Sequence, residues 1–266
     1  GVFNAIGGED TIRLLPYIDF DVLARDPKIF TGFSDTTSNH LMLYKAGVMS
    51  YYGASVMTNF SEYVRVNDYT AAMIRDTLFC PKPTLDIPSA PYWYDDEDEK
   101  IWWDEKNMNT LKPYHPEEIG YEGGPGGTVE GELLGGCLDV FIEVMGTSIW
   151  PTKEQWRGKI MFLETSEEDM STTYLTWILR NLAAQGLFDV IKGVLVGKPA
   201  RRSKYQPYKE VYRTVVGQES GRPELPILCN VNFGHAEPIG VIPYGARCRL
   251  DADKKTITLL EPATEP

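Results

Sequence analysis

Three residues that could together cleave an amide follow apolar, strand-like segments of this sequence. Ser34 lies in "KIFTGFSDTT", a pattern of strand, tight turn and helix, Glu164 ends "KIMFLE", and His235 follows "PILCNVNF" and a glycine. Active groups of α/β sheets collect beyond the carboxyl ends of the strands. A serine oxygen, an imidazole base and an orienting carboxylate are the parts of nucleophilic catalysis through an acyl-enzyme.

Each of these residues also has an ordinary structural explanation. Serine is a preferred helix N-cap, and Thr36 stands where the familiar nucleophile elbow has a second glycine, so the local pattern favours a cap for Ser34. Glu164 precedes a helix predicted to begin at a capping box formed by Ser166 and Asp169. A loop histidine bonded to backbone is the competing interpretation of His235.

The sequence has only two other histidines. His40 follows Ser34 on the same predicted helix, about 9 Å along its axis, and is expected to be a solvated helix residue rather than a base. His115 lies between a tyrosine and a proline in a long loop, where turn packing is the default. The base is therefore expected at His235.

The Gly7-Gly8 pair follows one predicted strand and precedes a helix, which is the arrangement of a phosphate or oxyanion loop. No longer glycine motif accompanies it, so a simple turn is the alternative. In a nucleophile elbow, the amide after the serine, here that of Asp35, stabilises an oxyanion.

Composition restricts the class of protein. The 266 residues are 42% hydrophobic, enough for one large or two modest domains, and a net charge of -12 argues against binding nucleic acid or an anionic membrane surface. The sequence contains neither a long apolar run nor an opening signal peptide, so we expect a soluble protein. The four cysteines are far apart and are expected to be reduced, buried thiols of a cytoplasmic protein.

Alternating strand and helix patterns in both halves predict parallel sheets and the α/β class. Between them, residues 81–116 are rich in Pro, Trp, Tyr and acidic residues, which indicates a domain boundary carrying a substrate-side loop. The chain ends in a predicted hairpin. It opens on an apolar strand, as if partway through a domain.

Six segments taken in order resemble one family, the serine peptidases that include the LD-carboxypeptidases and the microcin C immunity proteins. They are "IGGEDTIRLLPYIDFD", "PKIFTGFSDTT", "YYG", "GELLGGCLDVF", "GKIMFLETSEE" and "NVNFGHAEPIGVIPYGARCRLD". The resemblance implies a Rossmann-like parallel sheet with a nucleophile elbow in residues 1–85, a linker and aromatic substrate loop in 86–116, and a swivelling-type α/β domain in 117–266. It also implies that the family's opening segment is missing here.

The same resemblance implies roles for individual residues. Ser34 would be the nucleophile, His235 the general base and acid, and Glu164 the orienting carboxylate. Amides of the Gly7-Gly8 turn and of Asp35 would form the oxyanion site. No metal or organic cofactor is implied.

The segment "IWWDEKNMNTLKPYHPEEI" is similar to the Trp-bearing loop of the microcin C immunity subgroup. In that interpretation Trp102 or Trp103 stacks the nucleoside of the substrate, and the alternative is that both simply fix the loop. Two departures, Ala54 after Gly53 and Cys137 in place of a usual asparagine, leave the specificity open.

The resemblance thus implies a bacterial, cytoplasmic, homodimeric serine carboxypeptidase or amidase. It would cleave an amide in a small peptidyl- or aminoacyl-nucleotide through an acyl-enzyme. An LD-carboxypeptidase acting on cell-wall muropeptides is the first alternative. A non-catalytic small-molecule-binding protein is the second.

Overall fold

Two β-sheets organise the chain in a computed structural model that describes residues 1–62, 65–94, 122–123 and 127–264. The first sheet contains β1 (Val2–Phe3), β2 (Phe30–Gly32) and β3 (Tyr51–Tyr52), which are parallel, and β10 (Ile242–Pro243), which pairs antiparallel with β3. Its fourth strand therefore comes from near the end of the chain.

Short helices connect these strands. They are a 3₁₀ helix (Thr11–Tyr17), α1 (Phe20–Arg25), α2 (Thr37–Lys45) and α3 (Asp68–Ile74), with π-helical turns at Val56–Phe60 and Arg75–Phe79. The carboxylate of Asp19 caps α1 by accepting the backbone N–H groups of Asp21 and Val22. The side chain of Asn67 caps α3 by accepting the backbone N–H of Tyr69.

In the described part of the chain, the second sheet has eight strands in the order β4-β12-β11-β6-β7-β8-β9-β5. Their bounds are β4 (Leu85–Asp86), β5 (Glu122–Gly123), β6 (Thr128–Cys137), β7 (Ile160–Glu164), β8 (Gly193–Gly197), β9 (Ile227–Val231), β11 (Arg247–Asp251) and β12 (Thr256–Leu259). Strands β6 to β9 run parallel. The predicted terminal hairpin is formed by β11 and β12.

The helices beside this sheet are α4 (Leu138–Val144), α5 (Lys153–Trp156), α6 (Thr172–Ala184) and α7 (Arg202–Tyr212), the last continuing into a π-helical segment (Arg213–Glu219). The predicted capping box at Ser166 is wrong. Both the amide and the hydroxyl of Ser166 donate to Asp139 at the start of α4, and α6 is capped by Ser171 instead.

An aromatic core joins the two sheets. Every residue of β7 and β8 is buried. The Phe162 ring packs against Tyr52 of the first sheet at 5.6 Å between centroids, and against Phe233 and Tyr244 at 5.8 and 4.9 Å. Strands buried on both faces are typical of parallel sheets, and the predicted α/β class is confirmed.

Two further observations concern the surface. Three cysteines are buried free thiols, but Cys80 is exposed, so that part of the prediction is wrong. Cys80 directly follows a π-helical turn whose last residue, Phe79, is itself exposed. Within the described ranges, no helix has the length and apolar content needed to cross a bilayer.

Candidate active site

Ser34 begins a single 3₁₀ turn, Ser34–Thr36, directly after β2 and Phe33. Its φ of 65° is left-handed, a conformation that is costly for residues other than glycine and that clusters at functional sites. The residue in the cap position is Phe33, and no side chain caps this turn. The helix-cap interpretation of Ser34 therefore fails on geometry.

The Gly7-Gly8 turn lies against this serine. A Cβ at Gly7 would stand 2.8 Å from Ser34 Cβ, 2.9 Å from Ser34 Oγ and 3.6 Å from the amide nitrogen of Asp35, so a larger residue there would collide with the serine. Among the described residues, the amides of Gly7, Gly8 and Asp35 donate to no protein acceptor. The two glycines predicted for an oxyanion site thus lie beside the Ser34 turn, and no acceptor for their amides or that of Asp35 occurs in the described part of the chain.

The Asp35 side chain binds the segment that follows the Gly7-Gly8 turn. Its buried Oδ2 accepts hydrogen bonds from the Asp10 amide at 3.2 Å, the Thr11 amide at 3.1 Å and the Thr11 hydroxyl at 2.8 Å. The segment that follows the Gly7-Gly8 turn is therefore tied to the residue after Ser34. Sequence reasoning assigned only the Asp35 amide and missed this use of its carboxylate.

Glu164 and His235 meet as the strand pattern predicts. His235 Nδ1 lies 2.7 Å from Glu164 Oε2, and both side chains are buried. Gly234, with a φ of +90°, makes this contact feasible, since a Cβ there would lie 2.5 Å from Glu164 Oε2. The end of β7 and the turn after β9 therefore hold the two groups together.

A third side chain, Tyr52 of β3, joins this pair to Ser34. The Tyr52 hydroxyl donates to Glu164 Oε1 and accepts the backbone N–H of Ser34 at 3.0 Å. Sequence reasoning used Tyr52 only as part of the "YYG" segment. Nothing in its local pattern distinguishes it from Tyr51.

On its other side His235 faces Glu167. His235 Nε2 lies 3.2 Å from Glu167 Oε2, and the Glu167 side chain is 56% exposed. The Glu167 carboxylate therefore also faces the imidazole, although sequence reasoning assigned it no role. The ring of Phe33 packs edge-on against the imidazole at 4.9 Å.

The structure thus brings Glu164 and His235 together and places the Ser34 turn beside them. It does not join Ser34 to His235, because among the described residues no hydrogen bond links Ser34 Oγ to the imidazole. Nε2, the nitrogen that such a bond would need, is directed at Glu167.

The electrostatics follow from these contacts. Burial alone lowers the pKa of His235, but the charge and hydrogen bond of Glu164, with smaller contributions from Glu167 and Asp139, raise the pKa to about 9. Burial likewise opposes ionisation of Glu164, yet His235, Tyr52 and Cys137 together lower its pKa. An imidazole that donates from both nitrogens is an imidazolium, so this arrangement holds His235 protonated at neutral pH.

His40 has a different environment. It is fully buried, with Nδ1 2.8 Å from Ser50 Oγ and Nε2 3.0 Å from the Gly32 carbonyl. Burial lowers its pKa to about 4, against a smaller opposing effect of the Gly32 bond. The prediction of a solvated histidine is wrong, although the prediction that His40 is remote from the chemistry of Ser34 stays in place.

Potential metal ligands occur at the same place. Ligand atoms of Cys137, Glu164 and His235 lie within 4.8 Å of one another. Hydrogen bonds already use these groups, since the Cys137 thiol donates to Asp139 and Glu164 accepts from His235 and Tyr52. These hydrogen bonds account for the closeness of the three groups, and a reaction without a metal remains the prediction.

The predicted stacking residues Trp102 and Trp103, and also His115, fall outside the described residues.

Family models match both parts of the chain. Residues 1–53 match the LD-carboxypeptidase N-terminal domain, and residues 130–250 match the LD-carboxypeptidase C-terminal domain. The two matches include Ser34, Glu164 and His235.

Whole-chain relatives agree with these models. The microcin C7 self-immunity protein MccF of Escherichia coli is 27% identical over 98% of this chain and 73% of its own length. An MccF-like protein from Streptococcus pneumoniae, solved in complex with AMP, is 32% identical with a TM-score of 0.85 over 96% of this chain and 77% of that one. MccF in complex with aspartyl sulfamoyl adenosine gives a TM-score of 0.81 at 25% identity, over 99% and 76%. The chain therefore belongs to the LD-carboxypeptidase family of serine peptidases, which are hydrolases.

Proposed function

We propose that this protein is a serine amidase of the microcin C immunity type, which cleaves the amide of a peptidyl- or aminoacyl-nucleotide. Ser34 is the nucleophile, His235 the general base and acid, and Glu164 the orienting carboxylate. The observation that carries the proposal is the buried Glu164–His235 hydrogen bond beside the left-handed Ser34 turn. A strained serine next to an oriented imidazole is typical of activated nucleophiles.

In the first half of the reaction, Ser34 Oγ forms a bond to the amide carbonyl carbon as its proton passes to His235 Nε2. The amides of Gly7, Gly8 and Asp35 stabilise the oxyanion that develops on the carbonyl oxygen. The carbon–nitrogen bond then breaks, and the imidazolium gives its proton to the leaving nitrogen. The product is an ester between Ser34 and the acyl group.

In the second half, a water molecule attacks the ester carbon and transfers a proton to His235 Nε2. The bond to Ser34 Oγ breaks, the imidazolium returns that proton to the serine, and a carboxylic acid leaves. Glu164 remains ionised throughout and keeps the Nδ1–H in place.

The reaction requires Glu167 to leave His235 Nε2 and the imidazolium to release its Nε2 proton to solvent, since that nitrogen must be neutral to accept the Ser34 proton. The exposed Glu167 side chain can rotate into solvent without disturbing Glu164, which is buried. We therefore assign the observed contact to the resting enzyme. Substrate entering between Ser34 and His235 displaces the Glu167 carboxylate.

The nucleotide part of the substrate is supported by likeness alone. The MccF-like protein and MccF were solved with AMP and with aspartyl sulfamoyl adenosine. We assign the stacking of the nucleobase to Trp102 or Trp103. If Trp102→Ala and Trp103→Ala both cleave aspartyl sulfamoyl adenosine with the wild-type KM, this assignment is wrong.

The second candidate is an LD-carboxypeptidase that trims cell-wall muropeptides, and the LD-carboxypeptidase domain models favour it. The two activities separate in one experiment. The protein is incubated with aspartyl sulfamoyl adenosine or with a muropeptide ending in L-lysyl-D-alanine, and released products are quantified by mass spectrometry. We expect faster release of aspartate than of D-alanine, and both to disappear in Ser34→Ala. The reverse preference would favour the carboxypeptidase.

Several further predictions accompany this proposal. They are the division at 1–85, 86–116 and 117–266, a homodimer, and a cytoplasmic location. Size-exclusion chromatography with light scattering tests the dimer. A small-molecule-binding protein without turnover is the alternative of another class, and it predicts tight binding of aspartyl sulfamoyl adenosine with no product.

A further inference from the structure

We infer that Tyr52 is a positioning residue of this reaction, whose hydroxyl ties the backbone of the nucleophile to the carboxylate that orients the base. The inference rests on the proposed function, because it assigns Ser34 and Glu164 their roles. It adds a residue that holds the two halves of the site in register.

The Tyr52 hydroxyl is fully used by these two partners. It donates its proton to Glu164 Oε1 and accepts the N–H of Ser34 at 3.0 Å, and the side chain is completely buried. Tyr52 belongs to β3 of the first sheet and is in register with Gly32 of β2, whereas Glu164 ends β7 of the second sheet. One oxygen thus bridges the two sheets at the site.

For Ser34, this bond fixes the backbone conformation of the elbow. Ser34 has a left-handed φ, and its N–H donates to the Tyr52 hydroxyl, which satisfies a donor that would otherwise be left without an acceptor. The Ser34 amide is thereby committed to Tyr52. The oxyanion is left to the neighbouring amides of Gly7, Gly8 and Asp35.

For Glu164, the bond fixes the rotation of the carboxylate. Oε2 binds His235 while Oε1 is held by Tyr52, so the plane of the carboxylate is set from both sides. Burial, reinforced by the Glu164 charge, raises the pKa of Tyr52 well above 10, which keeps the hydroxyl protonated as a donor. Among the described residues, His235, Tyr52 and Cys137 hydrogen-bond to Glu164, and the Glu164 charge also acts on Tyr212 and Tyr244.

The chain offers a matched control in the preceding residue. Tyr51 is also buried on β3, and its hydroxyl donates to the Ala263 carbonyl at 2.6 Å, away from Ser34 and Glu164. Tyr51→Phe removes a buried hydroxyl of the same kind without touching the site. Any general effect of losing a buried hydrogen bond should therefore appear in both variants.

The test compares kcat and KM for aspartyl sulfamoyl adenosine in Tyr52→Phe, Tyr51→Phe and the wild type. We expect kcat of Tyr52→Phe to fall roughly 10- to 100-fold, the usual worth of a hydrogen bond to a charged group, with KM unchanged. Tyr51→Phe should keep the wild-type kcat. Equal kcat in Tyr52→Phe and Tyr51→Phe would overturn the positioning role.

The pH profile of kcat/KM supplies a readout that a merely structural role would not move. Without the Tyr52 donor, the Glu164 charge acts more strongly on His235 and raises its pKa. The acid limb of the kcat/KM profile should therefore move to higher pH in Tyr52→Phe and stay in place in Tyr51→Phe. If Tyr52→Phe does not fold, 3-fluorotyrosine is incorporated at position 52, where it keeps the hydroxyl and donates more strongly to Glu164. The pKa of His235 should then fall, and the acid limb of kcat/KM should move to lower pH. An unmoved limb in the folded variant overturns the inference.

Failure of the proposed function has a different signature. If the wild type cleaves neither aspartyl sulfamoyl adenosine nor a muropeptide, the proposed function is wrong. The positioning role of Tyr52, which depends on that function, is then wrong as well. If the wild type is active and only Tyr52→Phe fails to differ from Tyr51→Phe, the role of Tyr52 alone is wrong.

Discussion

The surroundings of His40 and His235 differ although both imidazoles are buried in the same protein. His40 is bonded to a hydroxyl and a backbone carbonyl, and its pKa is lowered to about 4. His235 lies between two carboxylates, and its pKa is raised to about 9. Burial alone removes the charge of an imidazole, whereas burial beside a carboxylate preserves it.

This contrast separates a histidine that builds the fold from one equipped for proton transfer. His40 stacks on Tyr244 at 4.7 Å and accepts or donates only to neutral groups, so it stays neutral across physiological pH. His235 has an ordered Nδ1 partner and an Nε2 that faces an exposed side chain. Only the second arrangement can exchange a proton with a substrate.

The largest expected effect comes from exchanging each imidazole for an amide. His235→Gln should lower kcat/KM for aspartyl sulfamoyl adenosine by roughly 10²- to 10⁴-fold, the usual contribution of a general acid–base group. His40→Gln should lower the free energy of unfolding by about 1–3 kcal/mol, since it disturbs buried hydrogen bonds, while the folded protein keeps its kcat/KM. Comparable losses of kcat/KM in both variants would erase the distinction.

The contact between Glu164 and His235 is what the sequence predicts best, because each residue follows the carboxyl end of a parallel strand. The sequence also predicts that the Gly7-Gly8 turn lies near Ser34. The nature of His40 could not be predicted, because its burial depends on Tyr244, which is distant in sequence and packs on it from the C-terminal part of the chain.

Contacts between distant segments explain the other differences. Ser166 has the sequence of a helix cap, but its backbone N–H and its hydroxyl both donate to the Asp139 carboxylate. Tyr52 and Glu167 have no local pattern that marks them, since their importance arises only when β3, β7 and the turn after β9 come together. Local propensity predicts the secondary structure that a residue prefers, but contacts with distant segments determine which partners its side chain binds.

The two histidines should also shape the pH dependence of stability in opposite ranges. The pKa of His235 in the folded protein lies above its unfolded value near 6.5. Its contribution to the stability of the fold is therefore fully present below pH 6.5 and is lost as pH rises through about 9. The folded pKa of His40 lies below that value, so stability is lost as pH falls from 6.5 through about 4. Each effect should amount to about 3 kcal/mol.

Urea unfolding at pH 4, 6.5 and 9 measures how the free energy of unfolding changes on the acid side and on the alkaline side. His40→Gln should flatten the acid side of the curve and His235→Gln the alkaline side. If both variants flatten the same side, the assignment of opposite charge states to the two sites is wrong.

The smallest effect is expected at the exposed partner of His235. Glu167→Gln removes one of the two carboxylates that raise the pKa of His235, so the acid limb of kcat/KM should move to lower pH. Each unit of movement raises the neutral fraction of the imidazole at pH 7 about tenfold. Glu168→Gln, which changes the adjacent acidic residue, is the control and should leave the limb in place. An unmoved limb in Glu167→Gln would mean that the contact does not govern the base.

The central claim is that Ser34 is a nucleophile activated by His235. It is tested most directly by treating the folded protein with a fluorophosphonate and locating the adduct by intact mass and peptide mapping. We predict one adduct per chain on Ser34, absent in Ser34→Ala, greatly slowed in His235→Gln and unchanged in the control Ser148→Ala, which replaces an exposed serine. An adduct on another residue, or no adduct on the folded wild type, would contradict it.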